Sequence, residues 1–477
     1  MEALALPPTV SGSAPVVGHA LQFLRDPIPL LERGYQEHGV VFSVRLGNKP
    51  AVILLGPENN RFFFAETDKL LSIREGYPFF IKMFHERFYF FAEFEEYLEQ
   101  RSILMPRFQG QQMTQYVSTM VRETVDLMDQ LGDSGSFDLI PTLGPLVMNI
   151  AAHSFLGSDF RSRLGWEFFT DFRHFSAGME PVLPLWLPLP KLLRSQKAKK
   201  KLHRVLGELI RSRRQQPVDP PDFLQTLVES RFSDGRLLDE EMTINLILLL
   251  VWAGHETTAG HISWALIDLL QHPDYLHTVI DDQDAKIGDR QDLAMADVRQ
   301  LVRMDWAVKE TERLHPVAYI LMRTAAEDLE IDGFQVPQGT QVFAAPSVSH
   351  RMPDVFPDPD RYVPERFSPE RDESRNQHSL IGFGGGIHRC AGVNFAYLEM
   401  KVVLTLLLQH YEFSLLDPAP KAVSGAKTKW PASPCRVRYQ RRHGVPKGLP
   451  RAERHDTGQC PVEHDTPAGA GQCPVHH

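Results

Sequence analysis

Residues 383–392 read Phe-Gly-Gly-Gly-Ile-His-Arg-Cys-Ala-Gly, a single cysteine behind a run of three glycines. Glycines let the backbone take positive φ angles and approach a large flat group closely. A helix is predicted from Val393 to Leu408, directly after the run. Backbone N–H groups of the turn and of the helix start would then stabilise negative charge on sulfur. Phe383 is placed to keep water from that sulfur. Together these residues suit Cys390 as the thiolate ligand of a haem iron. For a lone cysteine, the plainer reading is a buried thiol beside a glycine-rich loop.

Two other groups could take part in the same chemistry. Ala253-Gly254-His255-Glu256-Thr257-Thr258 lies midway along a predicted helix, Glu240 to Gln271. A glycine there costs about 1 kcal/mol against alanine, a cost explained if dioxygen needs the space. An acid followed by an alcohol, Glu256 then Thr257, offers a route for protons to reduced dioxygen. The alternative is that Thr257 bonds its own helix backbone and Glu256 faces solvent. Further on, Glu310 and Arg313 sit three apart on one helix face. Such a pair is worth little at a surface. Arg366, in Pro364-Glu365-Arg366-Phe367, supplies a second cation before the cysteine run.

The ten-residue run resembles the cysteine loop of the cytochrome P450 superfamily, Phe-Gly-x-Gly-x-His/Arg-x-Cys-x-Gly. Phe383, Gly384, Gly386, His388, Cys390 and Gly392 fill every fixed position. The resemblance implies haem b (iron protoporphyrin IX) with Cys390 as axial ligand, pushing electron density toward O–O cleavage. It implies that Ala253, Gly254, Glu256 and Thr257 form the oxygen-activating segment. It also implies that Glu310, Arg313 and Arg366 form a buried charge triad, in which removing one member would strand a charge. Haem propionates call for cations, and the candidates are His388, Arg323 and Arg101. Family members often carry Trp-x-x-x-Arg at the last; here Tyr97 stands for the tryptophan and keeps a donor.

The resemblance implies that the elements holding these residues are mainly helical, with small β-sheets: a single-domain cytochrome P450 fold over residues 1–440. Residues 1–60 read as loop and strand, with β-prone runs at 41–46 and 51–55 around a turn. Helices are predicted at Gln115 to Leu131, Gln196 to Gln215 and Glu240 to Gln271. A second β-rich stretch, Leu329 to Ala345, carries Asp332-Gly333 as a hairpin turn. The apolar, proline-rich segment 181–190 reads equally as an entrance lid or a buried connector. Residues 441–477 are polar and expected to be disordered, with two Cys-Pro-Val repeats at Cys460 and Cys473. Histidines near those repeats would suit a soft metal or haem, but a solvated tail without a role is the simpler reading.

Of the 477 residues 43% are hydrophobic, a globular composition, and the formal net charge is −9. That balance suggests neither a nucleic-acid surface nor a polybasic membrane surface. Four cysteines give no disulfide framework and suit a reducing cytoplasm. The start of the chain has no run apolar enough for a signal peptide or membrane anchor.

His315-Pro316 to Arg323, Phe356-Pro357-Asp358-Pro359 and Cys435 to Tyr439 are similar to the sterol 14α-demethylase branch. Two departures are Glu256-Thr257, where that branch usually has His-Thr, and Phe84-His85 in place of its Phe-Gly. By analogy the substrate pocket would involve Tyr77, Phe80, Phe88, Phe91, Val317, Ile320 and Trp430. Core packing is the ordinary role of such rings. The expectation is a monooxygenase that hydroxylates or epoxidises a terpenoid, steroid, polyketide or fatty-acyl-like molecule. NAD(P)H-derived electrons would arrive through a ferredoxin or flavodoxin. The rival readings are a haem-thiolate peroxygenase or isomerase and, less favoured, a haem sensor acting through the tail.

Overall fold

The long helix Glu240–Gln271 forms where its sequence allows a sharp start and stop. The Asp239 carboxylate accepts the Met242 N–H at 2.7 Å, Glu240 and Glu241 complement the helix dipole, and Pro273 follows the end. The computed structural model that shows this describes residues 4–84, 88–157, 165–178, 189–288, 290, 292–426 and 428–442.

Around the long helix the described residues are mainly helical, with three small sheets. Helix Leu139–Leu156 packs most extensively on the long helix. It is long and apolar enough to cross a membrane, yet 72% of it is buried in the fold. Helices Gly110–Leu131, Val302–Leu314 and Val393–His410 complete the surrounding layer. An aromatic knot joins several of these: Phe155 lies 5.3 Å from Phe395 and 5.9 Å from Phe108, and Tyr116 lies 5.3 Å from Phe395. Each such buried ring contributes on the order of 2 kcal/mol. Polar ties fix the long helix to Val302–Leu314. The Thr311 hydroxyl donates to Asp268 at 2.7 Å, and His315 stacks on Trp264 at 4.1 Å.

The strands are β1 (Val41–Leu46), β2 (Lys49–Leu54), β3 (Leu71–Ser72), β4 (Ser134–Asp138), β5 (Leu321–Ala325), β6 (Leu329–Ile331), β7 (Phe334–Val336), β8 (Gln341–Ala344), β9 (Tyr411–Leu415) and β10 (Arg436–Arg441). They form sheets of order β1-β2-β8-β5-β3, β4-β10-β9 and β6-β7. The β6-β7 hairpin turns on Asp332 and Gly333, at φ 51° and 78°. Both central residues are left-handed, as a tight two-residue hairpin requires. The expected second β stretch is therefore this hairpin plus β8, which joins the large sheet instead.

The N-terminal stretch is more helical than expected, with Ala20–Arg25, Pro27–His38 and Gly56–Ala65. Pro27, Leu30, Leu31 and Gly34 form the buried face of the second of these, a helical spacing that flanking turn residues obscure. Two predicted helices begin earlier than their apolar periodicity, at Gly110 and Pro190. Proline suits a first helical turn, where its missing N–H has no partner anyway. The proposed lid 181–190 lies outside the described residues except for Leu189 and Pro190, and the tail beyond Arg442 lies outside them entirely.

Candidate active site

The cysteine loop is built on two residues that only glycine suits. Gly384 and Gly386 hold φ of 70° and 60°, and a Cβ on Gly386 would meet the Phe64 carbonyl at 3.0 Å. The turn brings the Cys390 N–H to the Phe383 carbonyl at 2.9 Å. The Phe383 ring lies 5.7 Å from His261 of the long helix and 5.1 Å from Tyr397.

Cys390 is exposed by accessible surface, yet burial is the main cause of a raised thiol pKa. A side chain that is both accessible and deeply set lines an internal cleft rather than the outer surface. The Gly392 N–H, Arg101 and Arg389 pull the pKa back toward thiolate. The second cysteine in the described residues, Cys435, is buried, with its pKa pushed up to about 11.

Three cationic or basic side chains converge by the loop. Arg323, on β5, is buried; it donates to the Thr67 hydroxyl at 3.1 Å and its own neighbour's carbonyl, Met322, at 2.8 Å. Arg101 donates to the Tyr89 and Tyr97 hydroxyls at 3.3 and 3.5 Å. Tyr97 donates in turn to the Ile387 carbonyl at 2.9 Å and stacks on His388 at 4.2 Å. His388 hydrogen-bonds Asp68. Among the described residues neither guanidinium lies within ion-pair distance of a carboxylate, so both are left to meet an anionic group.

On the long helix, the turns on either side of Trp252 to Thr257 are buried, whereas Ala253 is exposed and Gly254 to Thr257 are half-buried. A Cβ on Gly254 would meet only the Ala151 methyl, at 3.9 Å. Thr257 donates to the Ala253 carbonyl at 2.6 Å, and Glu256 accepts from Ser176 at 3.2 Å. Thr257 thus makes the local backbone bond, whereas Glu256 meets a neighbouring helix rather than solvent. Burial pushes His255 down to about 4, so it stays neutral.

The triad residues meet with little exposure. Arg313 forks onto both Glu310 oxygens at 2.8 and 2.9 Å, and Arg366 reaches Glu310 at 3.2 Å and Glu373 at 2.7 Å. Backbone carbonyls of His350, Pro359, Arg361 and Asp358 absorb the remaining N–H groups.

Of the proposed pocket rings, Phe88 and Phe91 are buried core, as is Val317. Phe80 packs edge-on against Trp252 at 5.1 Å and lies 5.8 Å from Tyr77, whose hydroxyl accepts the Met322 N–H. Gly260 is pressed between Val317 and Trp430: a Cβ would lie 2.8 Å from Val317 and 3.1 Å from Trp430. Ile320 is half-buried at the edge of the large sheet.

Comparison with known proteins agrees with this architecture. The cytochrome P450 family model matches residues 7–429. The chain belongs to the cytochrome P450 family. This P450 is 33% identical to a sterol 14α-demethylase of Mycolicibacterium vanbaalenii, over 93% of this chain and 99% of that one. It is also 33% identical to a sterol 14-demethylase of Arabidopsis thaliana, over 92% of each. A solved cyanobacterial P450 with retinoic acid bound superposes with a TM-score of 0.81 at 27% identity, covering 92% of this chain and all of that one. The protein is therefore a cytochrome P450 monooxygenase with kinship to the sterol 14α-demethylase branch, and the family implies a haem with cysteine thiolate ligation and electrons from a partner.

The residues present fit that haem. An accessible yet deeply set thiol whose pKa the Gly392 N–H and nearby arginine charges lower suits the iron, and two guanidiniums without carboxylate partners among the described residues suit two propionates. Several neighbours in this P450 escaped the sequence reading. Asp68 holds His388, Tyr89 meets Arg101 at a strained φ of 40°, and Glu312 and Tyr397 pair behind the loop. No short motif marks them, because their partners are distant in sequence.

Proposed function

We propose that this P450 inserts one oxygen atom of O₂ into a bulky lipophilic molecule, by hydroxylation or epoxidation, and that the Cys390 thiolate would hold its haem. The observation that carries the site assignment is the Cys390 thiol, accessible yet desolvated, whose raised pKa the Gly392 N–H and the charges of Arg101 and Arg389 pull back toward thiolate. When bound, haem supplies the activation of dioxygen.

The chain's own residues do the rest. Arg323, Arg101 and His388 would hold the propionates, with Tyr97 orienting Arg101 and His388. Glycine at position 254 leaves room beside the long helix. Thr257 can release a proton only by breaking its bond to Ala253, after which its oxygen must be reprotonated. Glu256, one residue earlier, would take up a proton from solvent and pass it on, moving off Ser176 to do so. Tyr77, Phe80, Ile320 and Trp430 line the approach for the substrate, with Phe88, Phe91 and Val317 as the packed wall behind them.

The named relatives act on sterols and the solved neighbour binds a retinoid, so a fused-ring or polyene terpenoid is the first substrate class to try. Electrons would arrive from a ferredoxin or flavodoxin in the cytoplasm. An acid–alcohol pair on the long helix favours this over a peroxygenase or isomerase, which would need no proton delivery to reduced dioxygen.

The test is the spectrum of the dithionite-reduced protein with carbon monoxide. A strongly red-shifted Soret band of the thiolate type, lost in Cys390→Ser, is expected. A histidine-type band, or a thiolate band that survives Cys390→Ser, would overturn the assignment. Titration with sterols and retinoids, read as a spin-state shift, then ranks the substrates.

A further inference from the structure

One carboxyl buried behind the cysteine loop belongs to neither the triad nor the propionate cations. Glu312, on helix Val302–Leu314, is 2% exposed. Burial raises its pKa to about 7, against the opposing pull of Tyr397, the Gly382 N–H, Arg389 and Lys309. Burying a carboxyl costs several kcal/mol, and an apolar side chain of similar size would pack without that cost.

Its contacts explain what the carboxyl does there. Gly382, which leads into the loop, lies flat on it: a Cβ on Gly382 would stand 2.6 Å from a Glu312 oxygen and 2.8 Å from its Cγ. The Gly382 N–H also works against the rise in that carboxyl's pKa. On the other side of the loop, the Tyr397 hydroxyl donates to Glu312 Oε2. Tyr397 stands in helix Val393–His410, which leaves the loop, and its ring packs on Phe383 at 5.1 Å. The Phe383 carbonyl holds the Cys390 N–H. One side chain therefore grips both arms of the loop, and its charge reaches the sulfur, where it opposes Arg389 and Arg101.

We propose that Glu312 is a positioning residue for the thiolate: through Gly382 and Tyr397 it fixes the cysteine loop, and its negative charge strengthens electron donation from the Cys390 sulfur. This rests on Cys390 being the haem ligand. A fixed negative charge behind the sulfur disfavours adding an electron to the iron, so it lowers the reduction potential.

The experiment uses the full-length, haem-loaded protein at pH 8, where the carboxyl is ionised. It measures the reduction potential and the lifetime of the thiolate-type carbon monoxide band. Glu312→Gln should move the potential upward and shorten the band's lifetime several-fold. Glu312→Asp keeps the charge but draws it back from Gly382, so it should restore most of the potential and little of the lifetime. Tyr397→Phe should shorten the lifetime with a smaller shift in potential than Glu312→Gln, and it serves where the Glu312 variants fail to fold. Wild-type potential and band lifetime in Glu312→Gln, with only a lowered melting temperature, would overturn the proposal. So would a wild-type lifetime in Tyr397→Phe. Absence of a thiolate band from the wild-type holoprotein would overturn this proposal and the Cys390 assignment together.

Discussion

Thr257 shows how a single hydroxyl can serve both a helix and a reaction. Its bond to the Ala253 carbonyl is 2.6 Å long, and it belongs to the partly accessible stretch of an otherwise buried helix. Thr257→Ala removes the hydroxyl while favouring the helix, so any loss is chemical rather than structural. With a surrogate reductase, NAD(P)H consumption should continue while product falls and hydrogen peroxide accumulates; Thr257→Ser should recover much of the coupling. Paired peroxide and product assays decide it. At this scale, legibility followed sequence distance. Phe383 to Gly392 and the Glu310–Arg313 pair could be read because their partners are local. The Asp68–His388 contact spans 320 residues and Glu312–Tyr397 spans 85. Nothing in a local pattern joins such pairs, and glutamate or tyrosine in a helix reads as surface or core.

The helices carry the energetic consequences. Glu310 accepts from two buried arginines and from the Val363 N–H at 2.8 Å. Glu310→Gln removes the carboxylate onto which Arg313 forks and leaves Arg366 with Glu373 alone, and a loss of about 3–5 kcal/mol is expected. Urea unfolding followed by far-ultraviolet circular dichroism should show an earlier midpoint, with haem retention reduced in parallel. Asp239→Ala removes only the cap of the long helix and should cost about 1 kcal/mol. That variant should leave the carbon monoxide spectrum unchanged, because the cap stands well over a dozen residues before Gly254. Helix existence was legible from periodicity, but helix starts were less so. Pro190 and Gly110 look like breakers, and only capping geometry shows that they begin helices. Helix Pro27–His38 was missed because Pro27 and Pro29 stand in its first turn, Gly34 lies inside it and Gly39 follows its end.

Across the whole molecule, buried histidines set the response to acid. Burial pushes His261 and His350 down to about 3, and the His350 Nε2 must stay unprotonated to accept the Ile381 N–H at 2.9 Å. Below pH 6.5 the unfolded chain takes up protons at these rings and the folded chain does not. Stability is therefore present above pH 6.5 and lost as pH falls toward about 3, by roughly 1.4 kcal/mol per pH unit for each ring. Glu312 works the other way, because its raised pKa of about 7 adds stability as pH falls from 7 to the unfolded carboxyl's range. Urea midpoints should fall between pH 6.5 and 5, and Glu312→Gln should steepen the fall by removing the offsetting group.

The small sheet β4-β10-β9 also constrains how the chain is made. Strand β4 at Ser134–Asp138 pairs with β10 at Arg436–Arg441, and Ser134 lies opposite Gln440. At ribosomal speeds of about 5–20 residues per second, β4 waits on the order of 15–60 seconds for its partner. Through that interval the helices on either side of β4, Gly110–Leu131 and Leu139–Leu156, lack the strand that closes over their junction. A nascent chain halted before β10 should be cut there by protease, whereas release of the finished chain should seal the site.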